Sequence, residues 1–443
     1  MDITLRCRAY PDEETASVAW NHIDILRQIR NQAVRHYYRS PRGNRPSKYD
    51  QHSELTEWKR RWSAFKKPSA HAAQQAVSQI HKDHETQRGR RKNGYKTGRL
   101  KWQGRGEFRS VSYNQTTRYD VDHNTGDEGW IRLRLEKIGW VDVRAHREIP
   151  DTDDVKRVVL KKETTGEWFV TFVVEVSEPE QPDLSDLSAE NCVGIDLGIL
   201  SYVHTSDDCS VDCLDLTESY DRYERAQRSL ARKEHGSSNW EKQRVRVAKA
   251  KRRIKRQVLD YQHKLTTWLV TEYDFIAIED LDVKPMLETS QSAKNKQDAA
   301  WSRFLSLLEY KGKLHGVHVV PVEPRNTTKA CNQCGVTTDK PLWVREHSCP
   351  ACGHEDDRDL NAAKNVLDKA LAENGVPFRR TKQSLHVGPG RSESTSPERS
   401  AFWLANETRS VSSTPVQTAL PTSDRHSVRS DAKRVVEAGS PGA

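Results

Sequence analysis

Four cysteines and three carboxylates carry the chemistry that residue types and spacing suggest in this chain. Cys331-Asn-Gln-Cys334-Gly335 and Cys349-Pro-Ala-Cys352-Gly353 are two C-x-x-C-G knuckles separated by 14 residues. Each knuckle can turn two thiolates to one side, and the glycine relieves the tight turn after the second cysteine. Four sulfurs then close a tetrahedron around one Zn2+ at about 2.3 Å. Such a site has no open coordination position, so the expected zinc is structural, and it says little about activity because zinc ribbons bind nucleic acid, protein or nothing.

The carboxylates are Asp196, at the end of the apolar run Val193–Ile195, Glu279, at the end of Phe275–Ile278, and Asp359, just before the alanine-rich stretch Asn361–Leu371. An unpaired charge on a buried strand is costly, so each calls for a partner. One reading is a helix cap or an ion-pair partner. The other is that the fold gathers all three, whose mutual repulsion cations would relieve. Oxygen ligands with room for water suit Mg2+ or Mn2+. Two such ions about 3.5–4 Å apart would activate a water and stabilise the leaving oxygen of a phosphodiester.

Those residues need elements to hold them. With 443 residues the chain can form two or three domains. Lysine and arginine outnumber aspartate and glutamate by 72 to 63, a formal charge of +9, which favours a polyanionic partner. No apolar run approaches a membrane span and the start lacks a secretory pattern, so the expected location is the cytoplasm. There thiols stay reduced and paired C-x-x-C motifs bind metal rather than form disulfides. Cys7 and Cys192 read as small buried hydrophobes, and Cys209 and Cys213 as loop residues.

Residues 3–10 alternate as a strand, and Val18, His22, Ile25, Leu26, Ile29, Ala33 and Tyr37 recur at helical spacing. Further helices are expected over 55–65 and 70–84, with Pro68 and Ser69 as break and cap. Trp58 and Trp62, beside Lys59–Arg61, read as core packing with a basic edge or as a base-stacking pair. Residues 87–110, rich in Arg, Lys and Gly, read as a phosphate-binding segment that orders on binding, or as a basic loop. Strand patterns fill 111–177 and the strand at 3–10 should join them, giving a small β-barrel or curved sheet with a helical insertion. Residues 178–190 read as an acidic linker.

The second half alternates strands with a helical pair over 221–270, broken near Gly236–Asn239. Between Asp221 and Arg256 stand 14 Lys or Arg against 4 Asp or Glu. Lys242, Arg244, Arg246, Lys249, Lys251, Arg252, Arg253, Lys255 and Arg256 are therefore the expected phosphate contacts. Residues 284–300 read as a polar loop or broken helix, and the Ser-, Pro- and Thr-rich tail at 377–443 as disordered.

Seven stretches in this order resemble the TnpB (OrfB-type) proteins of insertion sequences: GIDLG (194–198), HGSSNWEKQRVRVAKAKRRIKRQ (235–257), AIEDL (277–281), AWSRFLSLLEYKGKLHG (300–316), TTKACNQCG (327–335), CPACG (349–353) and DRDLNAAKNVL (357–367). These are RNA-guided nucleases related to the type V CRISPR effectors. The resemblance extends over about 1–372 and implies an α+β or α/β multidomain protein. Its parts would be a wedge-like β-barrel at 1–12 and 105–180 with a helical recognition insertion at 13–104, and, after a linker at 181–190, an RNase H-fold, RuvC-like nuclease at 191–325 and 355–372. A zinc ribbon would be inserted at 326–354. It further implies catalysis by Asp196, Glu279 and Asp359, with Asp357 the near alternative, Mg2+ or Mn2+ as cofactor, guide RNA from the transposon end and target DNA as partners, and a monomeric ribonucleoprotein. Thr327-Thr328 stands where the family usually has Thr-Ser. RNase H-fold transposases that transfer strands typically carry Asp, Asp, Glu in chain order; here the order is Asp, Glu, Asp. A catalytically lapsed relative that only binds nucleic acid is a further reading.

Overall fold

The computed structural model describes residues 1–198, 200–281, 300–341 and 343–376, so the expected tail at 377–443 and most of the loop at 284–300 lie outside the described residues. The chain divides into two compact units, 1–177 with 228–249, and 178–227 with the chain from 250 onward.

In the first unit seven antiparallel strands form one sheet: β1 (Asp2–Tyr10), β2 (Ser110–Tyr113), β3 (Tyr119–Asp122), β4 (Trp130–Leu135), β5 (Gly139–Arg144), β6 (Val155–Lys162) and β7 (Trp168–Glu175), in the order β2-β6-β7-β1-β5-β4-β3. The alternation read in 3–10 puts Ile3, Leu5, Cys7 and Ala9 inside, with β1 paired to β7 and β5 at the middle of the sheet. The sheet nearly closes into a barrel. Edge strand β3 reaches round to the start of β6: the Tyr119 hydroxyl donates to the Val155 carbonyl, and the Val121 amide to the Thr152 hydroxyl at 2.8 Å.

Between β1 and β2 run α1 (Glu13–Arg39), α2 (Lys48–Arg61) and α3 (Ala70–Lys92). Asp12 caps α1 by accepting from the Thr15 amide at 2.7 Å, and Ala19, Ile23, Leu26 and Ile29 form its buried stripe. Helix α2 starts seven residues earlier than expected, because Ser47 and Asp50 make a capping box. Ser69 stands at the N-cap of α3 as expected but makes no side-chain cap, since its hydroxyl donates to Glu136 instead. Trp58 is buried edge-on to His36, and Trp62 is half-buried against Phe65, so this pair packs. The basic segment after α3 lacks regular structure but is tied to α1. Asn31 bonds both the carbonyl and the amide of Gln103, at 2.9 and 3.0 Å, and the Tyr38 hydroxyl accepts from the Leu100 amide.

The second unit is built on five strands, β8 (Cys192–Asp196), β9 (Ser201–Thr205), β10 (Ser210–Asp212), β11 (Phe275–Glu279) and β12 (His318–Val322), ordered β10-β9-β8-β11-β12. The first three run antiparallel, and β8, β11 and β12 run parallel. Ile276 and Ile278 of β11 pack on one face with Leu265, Leu269, Phe304 and Leu308. Phe275 and Ala277 pack on the other with Val366, Leu367 and Ala370. Burial on both faces is why these strands read as unbroken apolar runs. The second half of the chain carries the helices α4 (Thr217–Ala231), α5 (Ser238–Glu272), α6 (Trp301–His315) and α7 (Arg358–Glu373), of which residues 228–249 belong to the first unit, and β13 (Glu346–Ser348) and β14 (Glu355–Asp357) form a hairpin.

Residues 178–190 are not a free linker. Leu184 and Leu187 join the second core cluster, Gln181 donates to the Val317 carbonyl at 3.1 Å, and the His318 ring bonds the Pro182 carbonyl at 2.8 Å. Among the described residues no helix is long and apolar enough to cross a membrane.

Helix α7 lies directly on β8. A Cβ on Gly194 would sit 2.7 Å from the Leu367 amide nitrogen and closer still to the Ala363 carbonyl oxygen. Since both atoms are helix backbone, Gly194→Ala should push α7 off the sheet and lower stability by about 1–3 kcal/mol, read by urea unfolding. Lys311 of α6 is buried and donates to the His263 carbonyl and the Thr267 hydroxyl. Burial pushes its pKa down to about 7. An unfolded lysine keeps its proton to about pH 10.4, so above pH 7 the unfolded state binds more protons and stability rises with pH. Lys311→Met should remove this rise between pH 7 and 10 in a denaturation series.

Candidate active site and metal centres

The parallel pairing of β8 with β11 puts Ile195 opposite Ile278, so Asp196 and Glu279 follow as next residues at the same end of adjacent strands. Asp359 comes from the other direction, in the first turn of α7, which Gly194 allows against β8. The two carboxylates from β11 and α7 are close enough to act on Asp196. Its burial foremost, then the charges of Glu279 and Asp359, push it up to about 8, against the opposing pull of Arg358 and Arg345. Glu279 is buried and held above the ordinary carboxylate range by that burial, partly offset by the Thr327 hydroxyl, which donates to Oε1. Asp359 is buried and ion-paired with Arg345.

The three carboxylates expected from the sequence are thus gathered at one end of the sheet. Asp357, the alternative to Asp359, caps α7: its Oδ1 accepts from the amides of Asp359 at 2.8 Å and Leu360 at 3.2 Å. Two residues of this neighbourhood escaped the sequence reading. Arg345 precedes β13 and carries no motif of its own. His204 lies on β9 directly opposite Asp196, a register visible only once β8 and β9 are paired.

The four knuckle cysteines converge with their sulfurs all within 4.8 Å of one another. Cys331 Sγ lies 3.7 Å from Cys352 Sγ, and Cys334 Sγ lies 3.5 Å from Cys349 Sγ. Sulfurs about 2.3 Å from one tetrahedral Zn2+ stand about 3.8 Å apart, so the set fits that ion. Gly335 and Gly353 follow the second cysteine of each knuckle with φ of 79° and 71°, and their amides bond back to Cys331 and Cys349. The Cys352 backbone amide lowers the Cys349 thiol, whereas burial raises that of Cys331.

Asparagines join the first knuckle to α7. Asn361 accepts from the Asn332 amide at 3.0 Å and donates to the Ala330 carbonyl at 2.8 Å. One turn later Asn365 donates to the Thr327 and Ala330 carbonyls at 2.8 and 2.7 Å. The spacing Asn361–Asn365 is the i, i+4 face of the helix, and Ala362 and Ala363 between them are fully buried.

The expected phosphate contacts all lie on α5. Lys242, Arg246, Lys249, Lys251, Arg253 and Lys255 are exposed, whereas Arg244, Arg252 and Arg256 are half-buried, Arg244 paired with Glu241 at 2.8 Å.

Comparisons with known proteins agree with this layout. Residues 171–290, which hold Asp196 and Glu279, match the OrfB_IS605 family model, described as "Probable transposase". Residues 301–366, which hold the cysteines and Asp359, match the model "Cas12f1-like, TNB domain". A Streptomyces pristinaespiralis protein named "Putative RNA-guided DNA endonuclease" is 31% identical over 397 residues, 86% of this chain and 93% of that one. An Escherichia coli K12 relative, "Putative RNA-guided DNA endonuclease InsQ", is 28% identical over 59% of this chain and 66% of its own. In fold the chain is similar to the protein in "Cryo-EM structure of the Cas12f1-sgRNA-target DNA complex", with a TM-score of 0.54 and 14% identity over 81% of this chain and 83% of that one. On its near full-length likeness to the Streptomyces protein, with motifs and matched segments in the same order, the chain belongs to the TnpB (OrfB-type) family.

Proposed function

We propose that the protein is an RNA-guided, divalent-metal-dependent DNA endonuclease encoded by a transposable element, with a RuvC-like catalytic unit of the RNase H fold. The observation that carries this reading is the gathering of Asp196, Glu279 and Asp359 at one end of the five-stranded sheet, where burial and the two neighbouring carboxylates push Asp196 up to about 8. Its support from relatives is the name of the Streptomyces protein.

In this reading Asp196, Glu279 and Asp359 hold Mg2+ or Mn2+. Bound there, a pair of divalent ions supplies an activated water and stabilisation of the leaving oxygen of a DNA phosphodiester. The rigid β8–β11 pairing orients the first two carboxylates, and the docking of α7 orients the third. Thr327 fixes Glu279 Oε1, which leaves its other oxygen to a ligand. Cys331, Cys334, Cys349 and Cys352 hold a structural Zn2+ whose task is to set the knuckles against α7. The basic residues of α5, from Lys242 to Arg256, bind phosphates of guide RNA or target DNA, while sequence is read by guide pairing. The partners are a guide RNA copied from the transposon end and a matching DNA, in a monomeric, cytoplasmic ribonucleoprotein that meets the nucleoid when bound to DNA.

Expressed with its downstream flanking DNA, the protein should copurify with one discrete RNA and cut DNA matching that guide in Mg2+. Asp196→Ala should keep the RNA and reduce cutting to background. Lack of a discrete RNA, joined rather than cut transposon-end products, or an unchanged cutting rate in Asp196→Ala would each overturn the proposal. For the cysteine site, elemental analysis should find one Zn per chain, and Cys349→Ala should lose it together with several degrees of Tm.

A further inference from the structure

His204 is buried at the edge of the carboxylate centre, and nothing in the proposed chemistry uses it. Its Nδ1 faces Asp357 Oδ1 at 4.0 Å, and its Nε2 lies 3.4 Å from Asp208 Oδ1. One ligand atom from each of His204, Asp357 and Asp359 lies within 4.8 Å of the others. Ligands about 2.1 Å from a single octahedral ion stand about 3–4.2 Å apart, so the three need draw in by only about an ångström. Beside them an open depression of about 390 Å³, lined by Arg345, Glu346, Asp356 and Asp357, gives access from solvent.

A second observation marks this place as one that takes positive charge. The Arg345 guanidinium is seated on Asp359 Oδ2, a cation standing where a metal ligand's ion would be.

We propose that His204, Asp357 and Asp359 form a divalent-cation site with mixed nitrogen and oxygen ligands, which gives the centre a preference for Mn2+ over Mg2+. The proposal rests on the nuclease reading, since Asp359 belongs to both sites. Mg2+ demands a regular shell of oxygens and releases its water reluctantly, whereas imidazole is a good ligand for transition metals. The entering ion displaces Arg345 from Asp359. A site of three carboxylates alone has no nitrogen and no reason to discriminate in this way.

The test uses the zinc-loaded full chain with its copurified RNA and Mn2+ as the probe. Electron spin-echo modulation should show a nitrogen coupled to bound Mn2+, changing from 14N to 15N character when the histidines alone are 15N-labelled. His204→Ala and His204→Gln should both lose that coupling. Their Mn2+ affinity should fall about tenfold with little change for competing Mg2+, within the range that perturbing a metal site usually costs. Absence of histidine coupling in the wild-type protein, or its persistence in both variants, overturns the proposal. Mn2+ that binds without nitrogen but is lost in Asp359→Asn sinks this site alone. Mn2+ binding indifferent to both Asp196→Ala and Asp359→Asn sinks the nuclease reading with it.

Discussion

The second unit depends on one close approach, the passage of α7 over Gly194. A helix normally stands off a sheet by the thickness of its side chains. Here the absence of a Cβ on β8 and the small Ala362 and Ala363 on α7 let backbone meet backbone. That contact decides where the first turn of α7 ends up, and hence whether Asp359 reaches the strand ends that carry Asp196 and Glu279. The like charges so gathered are destabilising in themselves, because burial and mutual repulsion both favour protonation. The apolar clusters on the two faces of the sheet must outweigh that cost.

Much of this was legible in the sequence because the governing patterns are local. The knuckle spacing states a tetrahedral thiolate set outright, and alternation in 3–10 or continuous apolarity in 275–278 states how many faces of a strand are covered. Asp196 and Glu279 are visible as polar residues that end apolar runs, and Asp359 as the residue just before an alanine-rich helix. Their proximity is not, since 83 and 80 residues separate them and only the β8–β11 pairing and the α7 crossing join them.

What the sequence concealed follows the same logic. Ser201–Thr205 reads as the antiparallel return strand after Asp196, but the register that sets His204 opposite Asp196 does not show in the sequence, nor does the β13–β14 hairpin that brings Arg345 to Asp359. Residues 178–190 look like a spacer by composition, yet two leucines among the acids are enough to pin them to the core. Ser69 has the right identity for a cap, but a carboxylate across the fold competes for its hydroxyl. The alanines and asparagines of 361–365 were read as a helix and a family signature. Their spacing in fact alternates two jobs, small residues toward β8 and amides toward the knuckle.

The asparagine clasp has a consequence for the order in which the centre comes apart. Asn361 and Asn365 fasten the first turns of α7 to Ala330 and Asn332, which flank Cys331. Two of the three carboxylates therefore reside on the sheet, while the third resides on a helix whose first turns are held by the backbone beside Cys331. Local opening of that segment dismantles the centre without global unfolding. An opening of that kind would leave the folded sheet with only two of the three carboxylates in place.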